Sequence, residues 1–266
     1  MRSWRILYNA AMRIASWNVN SLKVRLPHLE QWCRDAQPDV LALQETKVGD
    51  DKFPREAIEA LGYQVVFSGE KSYNGVAILA REPLLEAIAG VPEFGDPQRR
   101  VLAATVAGVR IVNLYVVNGQ SVGSEKYAWK LEWLRAVTAY LRGELQRHAS
   151  VVVVGDFNIA PEDRDVHDPD AWRGSVLCSE PEREALRAIL DLGFIDSFRA
   201  FFDDSGHFSW WDYRQGAFRR NLGLRIDLIL ASESLRARLR TAAIDRLPRT
   251  WERPSDHVPV MLDLDG

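Results

Sequence analysis

Seven polar residues stand at the ends of five separate strand-like runs: Asn18, Glu45, Asp156, Asn158, Asp227, Asp256 and His257. The runs read Arg-Ile-Ala-Ser-Trp-Asn18, Val-Leu-Ala-Leu-Gln-Glu45, Val-Val-Val-Val-Gly-Asp156-Phe-Asn158, Arg-Ile-Asp227-Leu-Ile-Leu and Pro-Ser-Asp256-His257. In three of them an apolar segment stops abruptly on a carboxylate or carboxamide. Oxygen groups of that kind suit a hard divalent cation such as Mg²⁺. Strand ends are where a sheet presents chemistry, so one shared site accounts for all seven residues.

Each run also has a plainer reading. In Val151–Asn158, Asp156 and Asn158 leave the same side of an extended chain while Phe157 points the other way, into the core. Gly155, Asp156 and Asn158 are also ordinary turn formers. Leu43-Gln44-Glu45-Thr46-Lys47 reads either as a ligand-bearing loop or as a polar strand exit. Ser255-Asp256-His257 makes a poor nucleophilic triad, because adjacent strand residues face opposite ways and no Gly-x-Ser-x-Gly turn supports the serine. The chemistry fits better with His257 in the reaction and Asp256 at a metal, or the reverse. Asp227 is flanked by Ile226 and Leu228, where a lone charge is costly. It needs an Arg or His partner, and His257 is a plausible one. That pairing fixes the tautomer and favours the charged imidazole.

The segment from His207 to Arg214 is dense in aromatics, and Arg219, Arg220 and Arg225 follow it. Aromatic wedges beside guanidinium groups stack bases and grip phosphates. The competing reading is core packing, and one of Trp210 and Trp211 must face inward. Tyr115 and Asn118 end another strand, as turn residues or as a second cleft wall. Arg99, Arg100, Lys47, Lys126 and Lys130 are further phosphate-contact candidates. His167 lies just after the Asp156 loop, placed to line the same cleft. His28 and His148 read as surface residues, and His207 stays open.

Alternating strands and helices must position these groups. The strands are expected at 13–17, 40–44, 64–68, 76–80, 101–106, 110–116, 151–154, 226–230 and 258–264. The helices are expected at 23–36, 54–61, 126–145, 182–191 and 234–239. Several strand pairs are too close for a crossover helix, which favours mixed sheets in a layered α/β fold. The net charge of −3 gives no global basic field. This argues only weakly against nucleic acid, because a metal site built from acids lowers net charge. Cys33 and Cys178 form no metal or redox spacing and read as free thiols. No run approaches the ~20 apolar residues of a membrane helix, so a cytoplasmic location is the default. Met12 directly precedes the first strand, which leaves residues 1–11 as an extension of unknown role.

Taken together, Ser16-Trp17-Asn18-Val19-Asn20, Leu43-Gln44-Glu45-Thr46-Lys47, Asn113-Leu114-Tyr115, Gly155-Asp156-Phe157-Asn158, Leu224-Arg225-Ile226-Asp227 and Ser255-Asp256-His257 resemble the exonuclease III family of DNA-repair nucleases. These belong to the endonuclease/exonuclease/phosphatase superfamily. The motifs follow family order across residues 12–266, read as a single nuclease domain. The resemblance implies a four-layer α/β sandwich, two packed mixed β-sheets flanked by helices. It implies Glu45 as the main Mg²⁺ ligand, Mn²⁺ able to substitute, with Asn18 and Asp256 completing or supporting the site. Asp156, Asn158 and His257 mark a possible second metal position. Asp156 then handles the proton of the attacking water, and Asn158 orients that water or the phosphate. Asp227 holds His257 against the scissile phosphate, and Tyr115 contacts the phosphate or assists the departing oxygen. Asn118, Trp210, Trp211, Arg99, Arg100, Arg214 and His167 become DNA contacts.

The expected activity is 3′→5′ exonuclease action on duplex DNA with 3′-phosphatase and 3′-phosphodiesterase cleaning, by a monomer. Two departures from the family pattern qualify incision at abasic sites. Gly119-Gln120-Ser121 replaces the basic or bulky intercalating residue that some members carry after the asparagine. His167 places an imidazole where a small or acidic residue leaves room for an extruded sugar. End trimming is therefore expected to outweigh internal incision. A lipid, inositol phosphate or RNA phosphodiesterase with the same site is the second reading, and an inactive DNA-binding module the third. The aromatic–arginine segment weighs against the former, and the complete polar set against the latter.

Overall fold

The computed structural model describes residues 11–266, so the expected extension lies outside the described residues except for Ala11. The valine run shows why the chain is layered. Val151 and Val153 pack with Trp133, Leu134, Val137 and Leu186. Val152 and Val154 pack instead with Ile14, Val40, Ile78 and Leu262. Alternate side chains leave opposite faces of a strand. A strand apolar on both faces therefore sits between a helical layer and a second sheet.

In chain order the first half comprises β1 (Met12–Asn18), α1 (Leu22–Ala36), β2 (Val40–Gln44), α2 (Arg55–Glu59), β3 (Gln64–Ser68), β4 (Val76–Ala80), β5 (Leu85–Ala89), β6 (Val101–Val106) and β7 (Val109–Tyr115). Then follow α3 (Glu125–Arg147), β8 (Val151–Asp156), α4 (Pro169–Trp172), α5 (Glu180–Leu190), β9 (Phe194–Asp196), β10 (Asp227–Ser232), β11 (Leu239–Ile244) and β12 (Val260–Leu264). They build two six-stranded sheets, ordered β11-β12-β1-β2-β4-β3 and β5-β6-β7-β8-β10-β9. One parallel pair lies within each, β1 with β2 and β7 with β8, and every other pairing is antiparallel. Leu22, Leu29 and Trp32 of α1 and Ile58 of α2 cover Trp17, Leu41 and Leu79 on the outside of the first sheet. α3 and α5 cover the second. The layers run helix, sheet, sheet, helix, as the motifs implied.

The parallel pairs matter for function. Each brings two strand C-terminal ends side by side, Asn18 beside Gln44 and Tyr115 beside Asp156. β10 then enters antiparallel with Asp227 opposite Asp156. Gly155 makes the approach of β7 and β8 possible: a Cβ there would lie 1.8 Å from the Leu114 carbonyl oxygen. Between the sheets, Gln44 Nε2 donates to Asn113 Oδ1 at 2.7 Å, and Asn113 Nδ2 donates to the Leu43 and Ala77 carbonyls at 2.9 Å. These buried hydrogen bonds from Gln44 Nε2 and Asn113 favour one relative placement of the two sheets.

β5, β9 and β11 were not anticipated. β5 and β11 are edge strands with several exposed side chains and a register shift each, and β9 is three residues long. Short or half-solvated edges carry little hydrophobic pattern. The expected helix at 234–239 is a 3₁₀ turn over Glu233–Arg238. α5 starts at Glu180, earlier than the apolar periodicity indicates, because Ser179 and Glu182 form a capping box and a proline follows the cap.

Arg225 corrects an expectation. It is 1% exposed and donates to Asp165 Oδ1 at 2.6 Å and Asp196 Oδ2 at 2.7 Å, so it grips its own protein and no phosphate. Arg199 joins Asp165 at 2.5 Å, tying the loop before His167 to the turn after β9. Burial works to raise the Asp165 pKa, and Arg225 with Arg199 outweighs it, leaving the acid below its ordinary value. Asp165→Asn is expected to lower unfolding stability by about 3 kcal/mol, because a buried guanidinium loses its partner. A urea midpoint that falls at unchanged slope checks this.

Candidate active site

The strand ends converge. Asn18 Nδ2 donates to Glu45 Oε1 and to Asp156 Oδ2, each at 2.9 Å, and so joins an acid of one sheet to an acid of the other. Its Oδ1 accepts from the Asn20 backbone at 2.9 Å, which fixes the orientation of the amide. As placed, Asn18 spaces two carboxylates and keeps its oxygen for the backbone. Glu45 and Asn158 both adopt left-handed backbone conformations, φ 51° and 49°. For a glutamate this is an uncommon conformation, held by the surrounding structure.

His257 Nδ1 lies 2.9 Å from Asp227 Oδ2, and its Nε2 lies 3.7 Å from Asp156 Oδ2. Ser209 Oγ donates to Asp227 Oδ2 at 2.7 Å, and Ser255 Oγ anchors this end to the Asn18 carbonyl at 2.7 Å. The expected Asp227–His257 pair is therefore formed. The donor atoms of Glu45, Asp156 and His257 lie within 4.8 Å of one another, close enough to share one ion. Asp256 stands outside that group, accepting from Asn20 Nδ2 at 2.8 Å and Trp210 Nε1 at 3.0 Å. Lys47 Nζ contacts Glu45 Oε2 at 2.7 Å and Asn20 Oδ1 at 2.6 Å. Carboxylate-rich chemistry, with one half-buried acid open to the cleft, fits a hard divalent cation. Glu45 is the best-placed residue to hold it.

Burial raises the Asp156 pKa to about 7, helped by the charges of Asp227 and Glu45 and opposed by His257. For His257, burial pulls downward, and Asp227, Asp156 and Asp256 outweigh it, lifting the imidazole to about 10. Burial, with Glu45 and Asp156 nearby, puts the Tyr115 phenol well above its ordinary value. At neutral pH the site therefore offers a charged imidazolium, a protonated phenol and a carboxylate poised near its titration point. These are two donors for a phosphate and one acceptor for a proton.

The outer candidates divide. Trp210 is half-buried and bridges His257 and Leu224 across short β-contacts, while Trp211 is fully buried against Phe218. Trp211 as a DNA contact is thus overturned: it is the inward member of the pair. Lys130 is also buried, ion-paired with Glu182 at 2.5 Å, which removes it as a surface phosphate contact. Asn118 is exposed and donates to Asn158 Oδ1 at 3.0 Å. Arg100 stacks over Tyr115 at 4.5 Å, and Arg99 and Arg214 are exposed. His167, with Trp172, Trp210 and Leu222, lines a cleft of about 380 Å³. His28 and His148 are half-buried rather than on the surface, against Trp251 and Glu144. His207 pairs with Asp204. Asn20 and Ser209 received no role from the sequence reading, although each holds a site acid. Only the position of Asn20 inside a motif signalled it.

A layered fold whose two sheets deliver acids, an imidazolium and a phenol to one edge defines a phosphoester hydrolase scaffold. The sequence profile of the Endonuclease/Exonuclease/phosphatase family matches residues 15–257, and the chain belongs to that family. Exodeoxyribonuclease III of Haemophilus influenzae is 36% identical over 262 residues, covering 94% of this chain and 98% of that one. The structure of the 3′ phosphatase NExo from Neisseria, bound to a product DNA hairpin, is 46% identical with a TM-score of 0.95 over 96% of this chain and 100% of that one. An AP endonuclease from Archaeoglobus fulgidus is 39% identical with a TM-score of 0.92, over 96% and 100% of the two chains. Among the described residues, no helix is long and apolar enough to cross a membrane.

Proposed function

We propose that this chain is a divalent-cation-dependent DNA-repair phosphodiesterase that removes 3′-blocking groups and trims 3′ ends of duplex DNA. Mg²⁺ is the expected cation and Mn²⁺ a substitute. The continuous chain Asp227–His257–Asp156–Asn18–Glu45 across two sheets carries the reading. When bound, the cation neutralises charge on the phosphate oxygens and favours deprotonation of water. Glu45 would hold it, with Asp156 within reach, and Asn18 and Asp256 would support the site. Asp156 accepts the proton of the attacking water, which Asn158 orients in line with the scissile bond. Imidazolium His257, kept charged by Asp227, donates to a non-bridging oxygen. Tyr115 donates to the phosphate or to the departing oxygen. Trp210, Asn118, Arg99, Arg100 and Arg214 grip the strand.

His167 limits the room available to an extruded abasic sugar, since its Nδ1 is held 3.1 Å from the Gly223 carbonyl and the ring stands edge-on to Trp172. A lesion panel tests the proposal: 3′-phosphate, 3′-phosphoglycolate, internal abasic site and undamaged duplex, each with Mg²⁺ and with EDTA. The 3′-phosphate is expected to be released fastest, with no release in EDTA. His167→Gly is expected to raise abasic incision by about tenfold or more while leaving phosphate release intact, an effect of steric room within the pocket. Strong abasic incision by the unmodified chain would sink the His167 reading.

A further inference from the structure

Lys130, on α3, has no exposed surface, yet its ammonium lies directly behind the two asparagines of the site. Nζ donates to Glu182 Oε1 at 2.5 Å, to the Asn158 carbonyl at 2.7 Å and to the Asn118 carbonyl at 3.1 Å. An ammonium has three protons, and each has a partner here. Among the described residues no other group donates to either carbonyl. The Glu182 carboxylate is held in turn by the Leu177 and Ser179 backbone N–H groups at 3.0 and 3.1 Å and by the Ser179 hydroxyl. Asn118 lies beyond the end of β7, and Asn158 beyond the end of β8. The sheet hydrogen bonds stop before both, so the two loops are held together by side chains: Asn118 Nδ2 on Asn158 Oδ1 at 3.0 Å, Asn158 Nδ2 on the Val116 carbonyl at 3.1 Å, and the Lys130 ammonium on both backbones.

A buried ion pair is weak grounds for stability, because apolar residues of similar size often serve as well or better. Two of the three ammonium protons go to backbone of the reactive loops. Asn158 sits in the left-handed conformation, with Nδ2 on Asp156 Oδ2 and the Val116 carbonyl, both at 3.1 Å. A small rotation of its backbone would turn that amide off the acid.

We propose that Lys130, held in place by Glu182, is a positioning residue that sets Asn118 and Asn158 in register for phosphate binding and attack. This rests on the roles given above to those two asparagines. The test uses the full-length chain and release of phosphate from a 3′-phosphorylated duplex with Mg²⁺. Lys130→Met combined with Glu182→Gln removes both buried charges, and the glutamine oxygen keeps one acceptor for the two backbone amides of Leu177 and Ser179. This pair is expected to unfold cooperatively near the wild-type midpoint and to lose about 100-fold in kcat, as expected for a misplaced reacting group, with KM little changed. Lys130→Gln combined with Glu182→Gln restores a donor toward the carbonyls and is expected to recover most of that loss. In an Asn158→Ala background the Lys130→Met and Glu182→Gln pair should cost far less, since the two changes act through one residue. Wild-type kcat in the first pair, failure of that pair to fold, or no recovery in the second pair overturns the proposal. If Asn158→Ala alone leaves kcat unchanged, the underlying role of Asn158 has failed instead.

Discussion

Replacing Glu45 by Ala is expected to lower kcat for 3′-phosphate release by about 10³-fold or more, the scale of losing electrostatic stabilisation where charge develops. Glu45 is the one acid of the central group that is half-open to the cleft, bonded to Asn18 on one oxygen and Lys47 on the other. Removing it takes away the carboxylate best placed to hold a cation and leaves Lys47 without its ion-pair partner. Glu45→Gln keeps the shape and the Asn18 neighbour but loses the charge. It should lose nearly as much, with KM for the duplex changed far less than kcat, because the binding surface lies on other residues. Steady-state kinetics at saturating Mg²⁺ decide this. An equal loss in KM and none in kcat would assign Glu45 to substrate binding.

The second large effect belongs to Asp156. Asp156→Asn is expected to lower kcat by about 10²- to 10⁴-fold, the usual contribution of a positioned general base. The pH profile carries the sharper information. A base works deprotonated, so activity falls as pH drops through its pKa. Burial places the carboxyl at about 7, against the pull of His257 and with Asp227 and Glu45 adding to the rise. A cation at Glu45 favours the carboxylate and moves this acid limb to lower pH. His257, at about 10, keeps its proton well beyond neutrality, so any alkaline limb from its loss lies far above the acid one. kcat/KM measured from pH 5 to 9 should rise and then level in the wild type. In Asp156→Asn the residual activity should lose that acid limb.

The site was legible in the sequence because Glu45 and Asp156 stand where strands end and Asp227 where one begins. Val151–Val154 announced a central strand, and Asp156 and Asn158 one step apart on its exit announced a functional edge. Pairing was legible for Asp227 and His257, since a buried acid among leucines needs a partner. The supporting groups were not. Lys130 and Glu182 sit on ordinary amphipathic helices, and nothing local tells a surface lysine from one whose ammonium is buried behind an active site. Trp210 and Trp211 are adjacent and alike, and only the packing of Phe218 and Leu224 decides which faces in. Arg225 looked like a phosphate clamp because Asp165 and Asp196 are remote in sequence. Edge strands β5 and β11 were lost for a different reason. Neither strand has a face that is buried along its length, Ala242 being the one fully buried residue of the two, so burial imposes no strict alternation.

The most direct test of one cation-supported site is a paired measurement on the EDTA-treated chain, reading Mn²⁺ binding by electron paramagnetic resonance and 3′-phosphate release in the same samples. No release is expected without added metal, and Mg²⁺ or Mn²⁺ should restore it. In Glu45→Ala, Mn²⁺ affinity should weaken by about tenfold or more, at least the loss seen when metal-site support is removed. Full release in EDTA, or undiminished Mn²⁺ binding by Glu45→Ala, would contradict the account.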